Sequence, residues 1–240
     1  MTSGVRKMSS APTIRLGYWA IRGLAQPIRT LLRHLGVPFE DELFVQGDGP
    51  SYSREAWLSV KSTLDIDYAN LPYLIDGEVR MTQSQAILRY VARVYGGAGR
   101  TLYGGSPARL AAIDATMEQA VDFRQSYTRV AYGSAPLEPF AATIMPGYLA
   151  GFERVLARAA SGGFICGELS IADFALAEVL DGVQTMLAEL AAGAGLEKDA
   201  FKAFPEVAAY KARFEAVVAP GRAAANYMAR PFNNKVAVWK

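Results

Sequence analysis

The chain has 240 residues, of which 51% are hydrophobic, and its 25 basic and 23 acidic side chains leave a formal net charge of +2. This composition supports a sizeable core, excludes wholesale disorder and argues against general nucleic-acid binding, which requires a concentrated basic surface. The single cysteine, Cys166, excludes an intrachain disulfide and favours a reducing, cytoplasmic setting. The sequence has no apolar run of roughly eighteen residues, so we expect no membrane span. Residues 1–12 predict a flexible tail and do not resemble a secretory signal.

The first part of the chain alternates between strand and helix patterns. Apolar alternation and helical spacing predict the order β-α-β-α-β-β-α, at residues 13–19, 24–35, 39–45, 52–62, 71–75, 78–81 and 83–95. Pro27 falls in the first turn of the first helix, where its missing N–H does no harm. Asp76 and Gly77 form the turn between the last two strands. This order predicts an α/β sandwich with a mixed sheet.

The glycine-rich segment 96–106 changes the composition and predicts a linker between a domain at 13–95 and a second domain at 107–240. The second domain lacks a convincing strand pattern, and its Ala-rich spacing predicts helices at residues 108–132, 139–160, 171–190, 204–218 and 221–228. Ser170 and Asp173 match a helix-start signal, and residues 191–200 predict a flexible loop. We therefore expect a small α/β domain followed by an all-helical domain.

Four segments of the first domain carry a family resemblance: LGYWAIRGLAQPIRTLL, GDGPSYSREAW, NLPYLIDG and TQSQAILRYVAR. Their order and spacing, followed by SIADF in a helical domain, resemble the glutathione transferase family and specifically its mu class. The resemblance implies a thioredoxin-like domain with a mixed four-stranded sheet and a C-terminal helical bundle domain. It also implies a cytoplasmic homodimer that conjugates the thiolate of glutathione to hydrophobic electrophiles in detoxification. Glutathione would be a co-substrate, with no metal or other cofactor.

Tyr18 is the candidate catalytic residue, at the end of the first predicted strand. A free thiol has a pKa near ~8.5, and lowering it by roughly two units requires about 2.7 kcal/mol of differential stabilisation. A hydrogen bond to the charged sulfur favours the thiolate, and the resemblance implies that the Tyr18 hydroxyl supplies this bond. Taken alone, the residue would be read as a half-buried aromatic at a strand end.

The resemblance assigns a larger set of residues to glutathione: Trp19, Leu24, Arg54, Trp57, Lys61, Asn70, Leu71, Pro72, Gln83, Ser84 and, from a second subunit, Asp122. Arginine and lysine suit the glycine carboxylate of the tripeptide. A cis proline would turn the preceding main chain toward the cysteinyl unit. A helix N-terminus favours the γ-glutamyl carboxylate. Asp122 of a second subunit, close in sequence to Arg124, would bind the γ-glutamyl amine. Surface positions and routine helix caps are the alternatives.

The second substrate would lie beside the sulfur and against the helical domain. The resemblance implies an electrophile site formed by Ile21, Val121, Tyr132 and Phe232, with Tyr132 able to hydrogen-bond the electrophile. Core packing is the alternative for each. Tyr68, in the loop before NLPYL, matches an aromatic residue that inserts into the helical domain of the partner subunit at the dimer interface.

Three other functions on the same fold remain open at this stage. They are a carrier of hydrophobic ligands, a structural protein and a glutathione-dependent isomerase. The combination of Tyr18 with Arg54, Trp57 and Lys61 favours catalysis over the first two, because neither a carrier nor a structural protein needs a group that stabilises a thiolate.

Overall fold

The computed structural model describes residues 14–97, 102–159, 163–222 and 226–239. The predicted tail at 1–12, Thr13 at the start of the first predicted strand and residues 98–101 of the predicted linker lie outside these ranges. The domain boundary at 96–106 therefore stays a prediction.

A four-stranded mixed sheet forms the N-terminal domain. Its strands are β1 (Ile14–Trp19), β2 (Phe39–Phe44), β3 (Tyr73–Asp76) and β4 (Val79–Thr82), and they lie in the order β2-β1-β3-β4. β1 pairs in parallel with β2 and antiparallel with β3, while β3 and β4 form the predicted hairpin. The parallel pair requires a crossover, which the first helix provides. The predicted mixed sheet is confirmed.

Three helices complete this domain: α1 (Gln26–His34), α2 (Glu55–Lys61) and α3 (Ser84–Tyr95). A 3-10 turn, Gly23–Ala25, precedes α1, and Pro27 lies in the first turn of α1 as expected. Ile28 and Leu31 of α1 are fully buried. Burying a side chain of this size contributes about 2 kcal/mol. Helix α1 also packs against the helical domain, so it joins the sheet to that domain.

The remaining named elements of the described chain are helices, joined by loops. They are α4 (Pro107–Ala131), α5 (Leu137–Pro139), α6 (Met145–Arg158), α7 (Ile171–Ala194) and α8 (Pro205–Arg222). A π-helical segment, Phe140–Ile144, joins α5 to α6, and a 3-10 turn, Asn226–Ala229, follows α8. Among the described residues, no helix combines the length and the apolar character that crossing a membrane requires.

Several element boundaries differ from the predictions. Helix α2 begins at Glu55, because Tyr52 has a positive φ of 46° that an α-helix does not accommodate. Helix α7 extends to Ala194 and ends at Gly195, which adopts the left-handed conformation, so the predicted loop at 191–200 begins too early. The predicted helix at 221–228 is wrong in the described part: α8 runs through Pro220 to Arg222, and only a 3-10 turn follows.

The predicted start signal of α7 is confirmed. The backbone N–H of Ser170 donates to Asp173 Oδ2 at 2.7 Å, and the hydroxyl of Ser170 donates to the same atom at 2.9 Å. The N–H of Ile165 donates to the other oxygen at 3.1 Å. Asp173 is fully buried, and this burial raises its pKa to about 6 although the hydrogen bonds favour the charged form. The carboxylate therefore holds the start of α7 to the loop before it.

Candidate active site

Tyr18 lies near the end of β1, with its side chain only 5% exposed. Its hydroxyl oxygen accepts a hydrogen bond from the backbone N–H of Leu24 at 3.0 Å. The turn that presents this N–H begins at Gly23, whose φ is 45°. A Cβ at Gly23 would lie 2.7 Å from the Tyr18 hydroxyl, so the close approach of ring and turn requires glycine.

The Tyr18 hydroxyl remains protonated at neutral pH. Burial raises the pKa of this group, and the positive charge of Arg124 is the largest opposing influence. The hydrogen bond from Leu24 uses a lone pair of the oxygen, so the hydroxyl proton is not consumed by it. The side chain can therefore donate its proton to a further acceptor.

Two cavities meet at Arg124. The first, of about 430 Å³, lies between α1, α3, α4 and α7, and its lining includes Leu24, Gln83, Ser84 and Val121. We call it the α3 cavity. The second, of about 460 Å³, is lined by Tyr18, Trp19, Ile21, Arg124, Thr128, Arg129, Tyr132, Ser134 and Asn234. We call it the tyrosine cavity. Arg124 lines both cavities of its own chain.

Three of the residues expected at glutathione line the α3 cavity: Leu24 from the turn before α1, and Gln83 and Ser84 from the start of α3. Gln83 immediately precedes the helix and has a φ of 72° and a ψ of 105°. A non-glycine residue rarely adopts this conformation, and such positions cluster at functional sites. The first N–H groups of α3 have no partner inside the helix, so this end suits a carboxylate.

The three candidate glutathione residues at helix α2 lie in different environments. Arg54 immediately precedes the helix, and Arg54 and Lys61 are exposed. Trp57 is buried, with its ring stacked 6.1 Å from Tyr73 and edge-on to Phe44 at 5.4 Å. None of the three lines the α3 cavity or the tyrosine cavity. The two cations therefore lie on the surface, while the indole packs into the core.

The segment before β3 has the geometry that the resemblance implies. The peptide bond between Leu71 and Pro72 is cis. Asn70 Oδ1 accepts a hydrogen bond from the backbone N–H of Leu71 at 2.9 Å, so this side chain already orders its own main chain.

Two expected residues lie on the outside of the chain. Asp122, on α4, is exposed and lines neither cavity. Tyr68 is 79% exposed, and its carbonyl oxygen accepts a hydrogen bond from Thr82 Oγ1 at 3.1 Å. An aromatic ring this exposed on an ordered backbone lacks a packing partner within the described chain.

Three of the four residues expected at the electrophile divide between the cavities, and the fourth lies in neither. Ile21 and Tyr132 line the tyrosine cavity, and Val121 lines the α3 cavity. The ring of Phe232 lines neither of these: it packs 3.9 Å from the Arg22 guanidinium and stacks 5.3 Å from Trp239. Tyr132 is 40% exposed, and its hydroxyl oxygen accepts from the backbone N–H of Asn234 at 3.3 Å.

The C-terminal segment, residues 230–239, forms a fixed wall beside the tyrosine cavity. The carbonyl oxygen of Pro231 accepts from the backbone N–H of Arg22 at 2.8 Å. The backbone N–H of Val238 donates to the carbonyl oxygen of Ala131 at the end of α4, also at 2.8 Å. Arg230 forms an ion pair of 2.7 Å with Asp41 of β2. This segment therefore contacts β2, the loop after β1 and the end of α4.

A buried ion network, which was not predicted from the sequence, connects the two domains. Arg22 Nε and Nη2 donate to the two carboxylate oxygens of Glu178 on α7 at 3.0 and 2.7 Å, and Nη2 also pairs with Asp181. Lys211 of α8 forms a second ion pair with Asp181 at 3.0 Å. Burial disfavours the charge of Arg22, but the two carboxylates outweigh it and raise its pKa. Nothing local in the sequence relates these positions.

Most of the polar wall of the tyrosine cavity, which includes Thr128, Arg129 and Ser134, was not predicted from the sequence. Arg124, which we expected at the site of a second subunit, lies beside Tyr18 of the same chain. A signal was available: Arg124, Thr128 and Tyr132 follow one another at intervals of four, which is one face of a helix.

The fold and the site together define a class of protein. A thioredoxin-like domain with a mixed four-stranded sheet is followed by an all-helical domain, and a buried tyrosine hydroxyl lines a cavity between them. Residues 14–93 match the family model "Glutathione S-transferase, N-terminal domain", and residues 121–218 match "Glutathione S-transferase, C-terminal domain". The chain belongs to the glutathione S-transferase family.

Individual relatives agree with this assignment. The chain is 35% identical to human Glutathione S-transferase Mu 3 over 236 residues, which covers 97% of both chains. It is 35% identical to mouse Glutathione S-transferase Mu 5, over 96% of this chain and 97% of that protein. The solved Pi-class glutathione S-transferase of Onchocerca volvulus is similar with a TM-score of 0.76 and 29% identity, over 94% of this chain and 99% of that one. The predicted resemblance and fold are confirmed.

Proposed function

We propose that this chain conjugates glutathione to hydrophobic electrophiles, with the Tyr18 hydroxyl donating a hydrogen bond to the glutathione sulfur. The observation that carries this proposal is the state of that hydroxyl. It is buried, protonated and at the wall of a cavity, and its oxygen accepts a hydrogen bond from Leu24. Family membership supports conjugation and favours it over the carrier, structural and isomerase alternatives.

The chemistry depends on keeping the thiol ionised. A hydrogen bond donated to sulfur stabilises the thiolate relative to the thiol. The bond from the Leu24 N–H to the Tyr18 oxygen polarises the hydroxyl and makes it a stronger donor. The positive charge of Arg124 acts in the same direction. The thiolate then attacks the electrophilic carbon, with glutathione acting as a co-substrate and no cofactor in the reaction.

The roles of the other glutathione residues belong to this proposal. Gln83 and Ser84 would hold the γ-glutamyl carboxylate at the start of α3, which their place in the α3 cavity supports. Arg54 and Lys61 would bind the glycine carboxylate, since both are exposed cations. The indole N–H of Trp57 would assist these two cations, and the contacts around the cysteinyl unit would come from Trp19, Leu24, Asn70, Leu71 and Pro72.

A second copy of the chain would complete the site. A groove of about 570 Å³ lies between α4 and α6, and its lining includes Phe152, Ile144 and Val155, the last two more than 40% exposed. The exposed ring of Tyr68 fits an apolar groove of this kind, and burying it contributes about 2 kcal/mol. We propose that Tyr68 of each copy inserts into the groove of the other. Asp122 of the second copy would then meet the γ-glutamyl amine.

A cytoplasmic location is also part of this proposal. It rests on the single cysteine and on the reducing setting in which glutathione is available as a thiol.

Two variants separate the proposed roles. Tyr18→Phe should lower the turnover of 1-chloro-2,4-dinitrobenzene by about 10²–10³-fold, the usual effect of removing one donor to a developing or stabilised anion, while glutathione still binds. Arg54→Ala should instead weaken glutathione binding, measured by calorimetry, with little change in turnover at saturation. Unchanged turnover in Tyr18→Phe would reject the tyrosine as the activating group.

A further inference from the structure

The tyrosine cavity is more cationic than an apolar substrate requires. Seven of its nine lining residues have a hydroxyl, amide or guanidinium group, and Trp19 and Ile21 form the rest of the wall. Two of the seven, Arg124 and Arg129, are positively charged, and none of the nine is acidic. A cavity with two positive charges and no negative one attracts an anionic group.

Both arginines are available to a ligand. Throughout the described ranges, neither guanidinium takes part in an ion pair. Arg124 Nε is buried without a hydrogen-bond partner. The buried carboxylate of Glu178 lies nearby, but it is held by two hydrogen bonds from Arg22. An unpaired guanidinium with a buried donor is costly unless it meets an acceptor, and a carboxylate matches its forked geometry.

We propose that the tyrosine cavity selects hydrophobic electrophiles that carry a carboxylate, with Arg124 holding that carboxylate and Arg129 strengthening the attraction from the exposed side. This inference rests on the proposed function and specifies its second substrate. The apolar body of the electrophile lies against Trp19 and Ile21, and its reactive carbon faces the sulfur held by Tyr18. Arg124 suits this role because it lies beside Tyr18.

An aryl chloride illustrates the reaction. In 4-chloro-3-nitrobenzoate, the thiolate of glutathione attacks the carbon that bears chlorine and forms the C–S bond. The added electron pair passes into the ring and the nitro group. The C–Cl bond then breaks, chloride leaves with its electron pair and the aromatic ring is restored. The carboxylate takes no part in these bond changes, so it reports recognition by the protein.

The test compares 4-chloro-3-nitrobenzoate with the neutral 4-chloro-3-nitrobenzamide. For each compound, kcat/KM is divided by its uncatalysed rate constant with glutathione, which removes the difference in intrinsic reactivity. We expect the wild-type protein to favour the benzoate by roughly tenfold or more, the strength of one charge-assisted hydrogen bond. Arg124→Gln should remove most of this preference, Arg129→Gln should reduce it less, and Arg124→Lys should retain part of it. Arg158→Gln, which removes an exposed charge outside the cavity, should leave it unchanged.

The outcomes distinguish this inference from the proposed function. If the wild-type protein turns over the benzamide without favouring the benzoate, selection of carboxylates is refuted and conjugation stands. The same conclusion follows if Arg124→Gln turns over the benzamide and keeps the full preference. If the wild-type protein turns over 1-chloro-2,4-dinitrobenzene but neither of these compounds, the inference fails and conjugation stands; if it turns over none of the three, both fail.

Discussion

The two sides of Tyr18 are built differently. The proposed glutathione side draws on short segments of one domain, namely the end of β1, helix α2, the turn before β3 and the start of α3, together with Asp122 of a second copy. The tyrosine cavity combines the end of β1 with the last turns of α4 and with Asn234 of the C-terminal segment. One side therefore depends on local turns within a rigid sheet. The other depends on how segments distant in the sequence pack together.

The largest expected effect comes from breaking the link between the two sides. Arg22→Gln leaves the buried carboxylate of Glu178 without its cation. Removing one partner of a buried pair typically costs about 3–5 kcal/mol. We expect this loss in the free energy of unfolding by urea, together with parallel losses of kcat/KM for glutathione and for the electrophile, because Arg22 supports both sides.

An exposed pair provides the control. Lys202 and Glu197 form an ion pair of 2.6 Å in which both side chains are more than half exposed. Lys202→Gln should therefore cost far less stability than Arg22→Gln, because solvent screens an exposed pair. If Arg22→Gln destabilises the protein no more than Lys202→Gln does, the buried network does not hold the domains together.

The next prediction concerns the pH dependence of stability, which should change without altering either the glutathione side or the tyrosine cavity. Burial raises the pKa of Asp173 from 3.8 to about 6. The folded protein therefore holds this proton more tightly than the unfolded chain does, so the stability contributed by the group is present below about pH 4 and lost as the pH rises through about 6. The full difference amounts to about 3 kcal/mol.

Asp173→Asn should remove this dependence. The measurement is the unfolding free energy of the wild-type protein minus that of the variant, followed from about pH 4 to about pH 7, and this difference should fall as the pH rises. A flat difference would mean that the carboxyl group is not held in its protonated form. The KM values for both substrates should stay unchanged, since Asp173 lines neither cavity.

The smallest expected effect tests whether the glutathione side and the tyrosine cavity depend equally on a second copy of the chain. Tyr68→Ala should weaken the dimer by about 2 kcal/mol, roughly thirtyfold in its dissociation constant by sedimentation. At low protein concentration the KM for glutathione should rise, because Asp122 of the second copy is lost. The KM for the electrophile should change little, since one chain forms the tyrosine cavity. Equal increases in both would show that both sides need the second copy.

The same contrast explains how much could be predicted from the sequence. The mixed sheet, the helical domain and the Tyr18 position follow from alternation, helical spacing and the family resemblance, which are local signals. The wall formed by Arg124, Thr128 and Tyr132 could be predicted only in part. Their spacing places them on one face of a helix, but it does not indicate which residues pack against that face. The ion pair between Arg22 and Glu178 could not be predicted, because the two residues lie 156 positions apart in the sequence.

The central claim is that a hydrogen bond from Tyr18 keeps the glutathione sulfur ionised. Its most direct test is the thiolate absorbance of bound glutathione, titrated against pH in the wild-type protein and in Tyr18→Phe. We predict a thiol pKa roughly two units below that of free glutathione in the wild-type complex, and a return toward the free value of about 8.5 in the variant. Equal thiol pKa values in the two complexes would contradict the account.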